Sequence, residues 1–147
     1  MKDLYHNVAV VHLLDAQDIA TTDTASAWLD TYGFQSAMIV VNVGAITTPD
    51  SNSYITPVLQ HSDTTAATDA AAVSAADIQG GFTKIDAASE DQVTQVAGYI
   101  GSKRYVRVNI DITDADGGIS HALVSVDGLL GNASDQPVTA PAAVAAT

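Results

Sequence analysis

Acid–base or metal chemistry in this chain would fall first to histidine, because the chain has four histidines and no cysteine. Histidine acts as a general base or a metal ligand near neutral pH. The sequence contains neither the HExxH pattern of a zinc site nor the GxSxG pattern of a serine nucleophile. We therefore predict that the protein is not an enzyme and holds no metal or cofactor, although composition leaves a dispersed Ser–His–Asp triad open. The histidines are His6, His12, His61 and His121.

A group of aspartates matches part of a calcium-binding loop. Asp111, Asp114 and Asp116 precede Gly117. A helix-loop-helix calcium site with Gly117 at its sixth position needs an oxygen ligand at 112 and a glutamate at 123, where this chain has Ile and Leu. We therefore predict that residues 114–118 form a hairpin turn with solvated carboxylates, leaving a loosely bound surface Ca²⁺ as the alternative.

The basic residues are unevenly placed. The chain has only five, and three of them fall between positions 103 and 107. One interpretation is that they neutralise neighbouring aspartates, which contributes about 0–1 kcal/mol per exposed pair. The other is a contact patch for a partner, in which arginine and tyrosine supply the anchoring side chains. The predicted partner-contact residues are Lys103, Arg104, Tyr105 and Arg107.

Charge and hydropathy exclude several classes of partner. The net charge of −12 over 147 residues opposes binding to nucleic acid and to anionic membranes. The N-terminus lacks the apolar stretch of a signal peptide, and the longest apolar run, residues 37–41, is too short to span a bilayer. We expect a soluble protein that does not leave the cytoplasm by the usual export route.

The elements that would position these residues are mostly strands. Residues 35–43 are apolar almost throughout, which is typical of a strand at the centre of a sandwich. Residues 104–112 alternate between apolar and polar, which indicates a half-buried strand. Pro57 favours an edge position or a bulge for its strand. The other predicted strands are 8–14, 27–32, 54–61, 82–85, 93–100 and 119–127.

The segments between the strands complete the expected fold. We predict loops at 15–26 and 62–69, helical turns within 70–78, and a tight connection at Gly101-Ser102. Together the elements predict a mainly β protein, a single-domain antiparallel β-sandwich or jelly roll with an extended N-terminal segment. The domain would cover residues 1–130, and residues 131–147 would form an extended or disordered C-terminal arm.

Three segments resemble a family of small proteins of tailed bacteriophages and prophages. They are residues 34–45 (FQSAMIVVNVGA), 58–63 (VLQHSD) and 96–108 (VAGYIGSKRYVRV). The family is encoded near the major capsid protein and described as minor capsid or head-decoration proteins. The resemblance covers roughly residues 34–130, with GYIGSKRYVRV as its most specific part. The Thr- and Asp-rich 15–26 region and the C-terminal arm depart from it.

The resemblance implies a virion component on the exterior of the phage head, made in the host cytoplasm. Its partner would be the major capsid protein, which it would bind from outside and stabilise, with no nucleic acid or membrane involved. The symmetry of a capsid lattice suggests that it also forms a homo-oligomer such as a trimer. The family brings no catalytic residues.

Two alternatives stay open. A head–tail connector or tail component is also compatible with the resemblance. Residues 62–63 and 103–108 in addition resemble the pattern of discoidin-like, galactose-binding jelly rolls, which implies a glycan-binding module. The low aromatic content, 5%, argues against the glycan-binding alternative, because sugar sites use exposed aromatic rings.

Overall fold

The protein is a sandwich of two antiparallel β-sheets, which confirms the predicted fold class. A computed structural model describes residues 3–19, 22–135 and 137–147. The strands are β1 (Val8–Asp18), β2 (Thr24–Ala25), β3 (Leu29–Asp30), β4 (Phe34–Ile46), β5 (Ser53–Ser62), β6 (Ala71–Ala72), β7 (Ile78–Gly80), β8 (Thr94–Tyr99), β9 (Tyr105–Asp114) and β10 (Ala122–Ala133). Two short 3₁₀ turns lie at Ala67–Asp69 and Ala75–Asp77.

The first sheet has the strand order β1-β10-β4-β8-β7, and the second has β2-β9-β5-β6, with β3 also pairing with β9. The core lies between them and consists of the inward-pointing half of each long strand. In β10, for example, alternate residues from Ala122 to Leu130 are buried. The glycine at position 128 lets the layers approach, since a Cβ there would lie 2.8 Å from Leu29 Cδ1. The largest fully buried side chains include Leu29, Ile39, Val41, Ile55, Val108, Ile110 and Leu130.

The predicted hairpin at 114–118 is wrong. It connects β9 in the second sheet to β10 in the first, so the two strands do not pair. The connection at Gly101-Ser102 likewise crosses between the layers, from β8 to β9. Glycine and aspartate mark a change of chain direction, but the pairing of the flanking strands depends on distant partners. For β9 that partner is β5, with Pro57 opposite Ile110.

Several local predictions also need correction. The predicted loop 15–26 is wrong at both ends, because β1 continues to Asp18 and β2 occupies Thr24–Ala25; residues 20 and 21 lie outside the described part. The predicted strand 82–85 is reduced to one bridge, between Ile85 and Ile55. The predicted helical turns in 70–78 are reduced to the turn at Ala75–Asp77.

Pro57 lies where β5 is open on one side. The N–H and C=O of Ile55 bond with Ile85 on the side away from β9, and the C=O of Leu59 accepts from Val73 on that side. Residues two apart in a strand direct their backbone groups to the same side. The missing N–H of Pro57 therefore falls between these two contacts, which agrees with the predicted edge character of this strand.

The C-terminal segment lies against the body. β10 extends to Ala133, three residues into the predicted arm, and residue 136 lies outside the described part. Val144 forms an antiparallel bridge with Trp28, through backbone hydrogen bonds of 2.7 and 3.0 Å. The N–H of Thr147 donates to the C=O of Thr65 at 3.0 Å. The described residues of the C-terminal segment are thus held against the body by backbone hydrogen bonds at Val138, Val144 and Thr147.

Candidate binding surfaces

Lys103 lies in the connection between β8 and β9, at one end of the sandwich. Its ammonium group pairs with the carboxylate of Asp63. Its backbone N–H donates to the Tyr99 hydroxyl oxygen at 2.8 Å, and His61 Nδ1 lies 3.0 Å from the same oxygen. Burial raises the pKa of Tyr99, so this hydroxyl stays protonated. Lys103 is therefore fixed at both its backbone and its side chain.

Arg104 makes a two-pronged ion pair with Asp30. Arg104 Nε donates to Asp30 Oδ1 at 2.8 Å, and Nη2 donates to Oδ2 at 2.7 Å. The hydrogen bond from Arg104 holds the pKa of Asp30 below its usual value, and the carboxylate in turn raises the pKa of Arg104. The guanidinium also lies 4.9 Å from the ring centre of Tyr32 and 5.0 Å from that of Tyr105. Its edge is paired with a carboxylate, and it lies near two aromatic rings of the same chain.

Arg107 is buried, so its predicted role as a surface contact is not supported. Only 5% of the residue is exposed. Its Nε donates to Gln60 Oε1 at 2.9 Å, and its guanidinium lies 4.4 Å from the ring centre of the fully buried Trp28. Burial lowers the pKa of Arg107. Alternation correctly placed it on the outer side of β9, but Trp28 packs against it there.

Three of the four predicted contact residues, Arg104, Tyr105 and Arg107, therefore belong to one ladder of stacked side chains on the second sheet. Tyr105 lies between the two arginines in this ladder. Its ring packs edge-on against Trp28 with ring centres 6.4 Å apart, and the Arg104 guanidinium lies over its face. Lys103 stands beside the ladder with its own carboxylate partner. The ion pairs of Lys103 and Arg104 agree with the interpretation that basic residues balance local charge. Arg107 instead contacts a neutral amide and an aromatic ring.

The aspartates near position 115 are held by hydrogen bonds. The Ser53 hydroxyl donates to Asp114 Oδ1 at 2.8 Å and also contacts Asp116. The Ile119 N–H donates to Asp114 at 3.2 Å. The Ser53 bond, followed by the Ile119 bond, lowers the pKa of Asp114. Among the described residues, no group of three or more histidines and carboxylates is placed to hold a metal ion.

The histidines are dispersed over the described part of the chain. His6 pairs with Asp3, and His121 pairs with Asp18, each at 2.5 Å. His12 on β1 lies between two carboxylates and is described below with its surface. A Ser–His pair that would begin a catalytic triad is not among the hydrogen bonds of the described histidines.

A second surface, on the first sheet, was missed by the sequence analysis. Residues that alternate with the core positions point away from the core. Val10 pairs with Leu129, and Leu129 pairs with Met38. Val40 pairs with Val96 in the next row. Val10 is 61% exposed and Val96 45% exposed. We call these five residues the outer apolar face.

A groove extends the outer apolar face towards the chain ends. Its volume is about 480 Å³, and it lies between residues 4–10, β10 and residues 138–140. Leu4 and Tyr5 on its wall are 70% and 85% exposed. The N–H of Val138 donates to the C=O of His6 at 3.2 Å, which holds the two chain ends side by side. The apolar surface is therefore continuous from the groove to β8.

The signal for this surface was present in residues 35–43. The almost fully apolar run predicts a strand at the centre of the sandwich and does not distinguish its two faces. In the structure β4 is central within its sheet, but only its alternate residues are buried, and Met38 and Val40 point outward. Local sequence cannot tell whether another layer covers the second face of a sheet.

Comparisons with known proteins leave the family open. No protein-family model and no curated protein matches the chain. One similar solved structure is that of the CBM22-1-GH10 modules of Clostridium thermocellum endo-1,4-beta-D-xylanase 10B in complex with xylohexaose. It has a TM-score of 0.40 and 10% sequence identity, and covers 93% of this chain. This chain spans 28% of the length of that one.

Within the described residues, the structure contains no helix with the length and apolar character needed to span a bilayer.

Proposed function

We propose that the protein is a structural component of a virion, a decoration protein that binds the outer surface of a tailed-phage head and stabilises it. The single observation that carries this proposal is the outer apolar face with its adjoining groove. Large exposed apolar surfaces on folded proteins usually mark sites of protein–protein contact. The resemblance of residues 34–130 to phage head proteins supplies the identity of the partner, the major capsid protein.

The internal pairing of polar groups supports a rigid binding body. The described residues contain no buried side-chain nitrogen or oxygen atom without a hydrogen-bond partner. Arg104 and Arg107 connect β9 to other strands of the second sheet, through Asp30 on β3 and Gln60 on β5. A body that is already ordered loses little conformational entropy on binding, which favours docking to a fixed lattice.

The net charge supports a position outside the head. A chain with a net charge of −12 is repelled by the DNA packaged within a shell and is readily accommodated on the exterior. A high net charge also keeps many identical copies in solution before they bind. Repeated weak contacts then add up over the lattice.

The test is a binding experiment with heads assembled without this chain. Purified protein is added in increasing amounts, and bound copies per head are counted after sedimentation. We expect saturation at hundreds of copies per head and a raised disruption temperature of the decorated heads. Absence of saturable binding at about micromolar protein, a concentration that detects about −8 kcal/mol of binding free energy, would contradict the proposal. Saturation at roughly a dozen copies would instead indicate a connector.

A further inference from the structure

The charges around the outer apolar face are the starting point. His12 lies in the same row as Val40, because His12 pairs with Asp127 and Asp127 pairs with Val40. His12 Nδ1 lies 2.8 Å from Asp127 Oδ1, and its Nε2 lies 3.0 Å from Asp15 Oδ1. The Asp15 side chain is 94% exposed. Carboxylates therefore flank the outer apolar face along β1 and β10.

The groove end carries a further carboxylate. Asp3 precedes Leu4 and Tyr5 on the groove wall and pairs with His6. The described basic side chains make their contacts elsewhere, with residues of the second sheet or of loops. They are Lys84 with Asp86 and Tyr54, Lys103 with Asp63, Arg104 with Asp30, and Arg107 with Gln60. The border of the face thus has excess negative charge when its histidines are neutral.

This distribution of charge favours one of two possible binding partners for the outer apolar face. A second copy of the chain, docked through the same face, would bring Asp15 and Asp127 of each copy towards like charges. The two chains, each with a net charge of −12, would together carry a net charge of −24. Like-charge contacts of this kind disfavour association. A surface with an apolar centre and basic border would instead bury the valines and methionine and place its cations opposite the carboxylates.

We propose that the outer apolar face docks on a protein surface whose apolar centre is bordered by lysine and arginine side chains. The inference rests on the proposed function, under which that surface belongs to the outside of the phage head. It assigns the contact to the first sheet and leaves the Arg104 ladder on the second sheet as an internal support. The apolar centre supplies affinity, and the carboxylates supply orientation and a faster encounter.

The experiment measures binding of the full chain to heads assembled without it. Val10→Glu and Val96→Glu place an unpaired carboxylate in the apolar contact, and we expect each to weaken binding at least tenfold. Ala72→Glu is the matched control, because Ala72 is exposed on β6 of the second sheet and lies outside the outer apolar face. The control should bind like the unchanged protein. Unchanged circular dichroism and melting of all three variants would show that folding is intact.

A second arm tests the charged border. Asp15→Lys should slow association several-fold at low salt, and the difference should shrink at high salt as screening increases. Loss of binding by Asp15→Lys only at high salt, or an acceleration at low salt, would contradict a basic border on the partner.

The outcomes separate this inference from the proposed function. If the unchanged protein binds heads and both valine variants bind equally well, the assignment of the face is wrong and the proposed function stands. If Ala72→Glu alone weakens binding, the contact lies on the second sheet, and the assignment is again wrong. If the unchanged protein forms a dimer that Val10→Glu dissociates, a second copy is the occupant. Absence of any binding to heads overturns both proposals.

Discussion

At the residue scale, the side chains of Arg104 and Arg107 stabilise the fold through contacts within the chain. Arg107 carries its charge into a site that is 5% exposed, where it is stabilised by one hydrogen bond to Gln60 and by the π face of Trp28. A buried cation without such partners would be strongly unfavourable. Arg104, in contrast, keeps its charge near water and uses Asp30 to position the turn that carries Tyr32.

A substitution at Arg107 tests this role. Arg107→Glu places a carboxylate beside Trp28 and Gln60, and we expect it to lower the free energy of unfolding by about 3 kcal/mol or more. Arg107→Lys keeps the charge but loses the planar stacking, so its loss should be smaller. Urea unfolding followed by fluorescence of the single tryptophan measures both. Equal stability of Arg107→Glu and the unchanged protein would mean that Arg107 is not buried.

His12 should make stability depend on pH. The hydrogen bond to Asp127, followed by that to Asp15, raises the pKa of His12 above its ordinary value of 6.5. Protonation therefore favours the folded state, with the full contribution below pH 6.5 and its loss as pH rises through the higher folded pKa. His12→Gln should destabilise the protein more at about pH 5.5 than at about pH 8.5. An NMR titration that gives His12 a pKa below 6.5 would contradict this.

At the element scale, the C-terminal segment, residues 137–147, is held against Trp28 beside the second sheet, and we call it the strap. Val144 bridges Trp28, and Thr147 reaches Thr65, whose carbonyl also accepts the Trp28 indole N–H at 3.1 Å. The same segment forms one wall of the groove through Val138 and Ala140. One segment of the chain thus contacts Trp28 near the second sheet and also lines the groove beside the outer apolar face.

Removal of residues 143–147 should expose Trp28. The truncation deletes the Val144 bridge and the Thr147 hydrogen bonds, so the indole, now fully buried, would meet water. We expect a shift of tryptophan emission to longer wavelength together with a lower melting temperature. Ala143→Ser, at an exposed position of the same segment, should change neither. An unchanged emission maximum in the truncated protein would show that the strap does not cover Trp28.

At the scale of the whole molecule, two consecutive connections cross from one sheet to the other, β8 to β9 and β9 to β10. Each sheet is therefore assembled from strands distant in sequence, as in the pairing of Val8 with Gly131. The crossings place the Arg104 ladder on one outer surface and the outer apolar face on the other. A contact through one surface leaves the other exposed, as the proposed attachment to the outside of a phage head requires.

The amino-acid sequence by itself determined the class of fold. Alternation in residues 104–112, the apolar run 35–43 and the turn-rich segments between strands are local features, and they predicted a β-sandwich that the structure confirms. The sequence also predicted the outward direction of Tyr105 and Arg107 on β9, because successive side chains in a strand alternate in direction.

Only the tertiary structure decided which strands pair and which faces are covered. Both depend on contacts between residues far apart in the chain, whereas turn chemistry and periodicity act over a few residues. Arg107 became buried because Trp28, which is distant in the chain, packs against its guanidinium. Met38 and Val40 remained at the surface because no third layer covers the first sheet in the described part of the chain. A side chain's exposure is set by its distant neighbours, and those are fixed only when the two sheets come together.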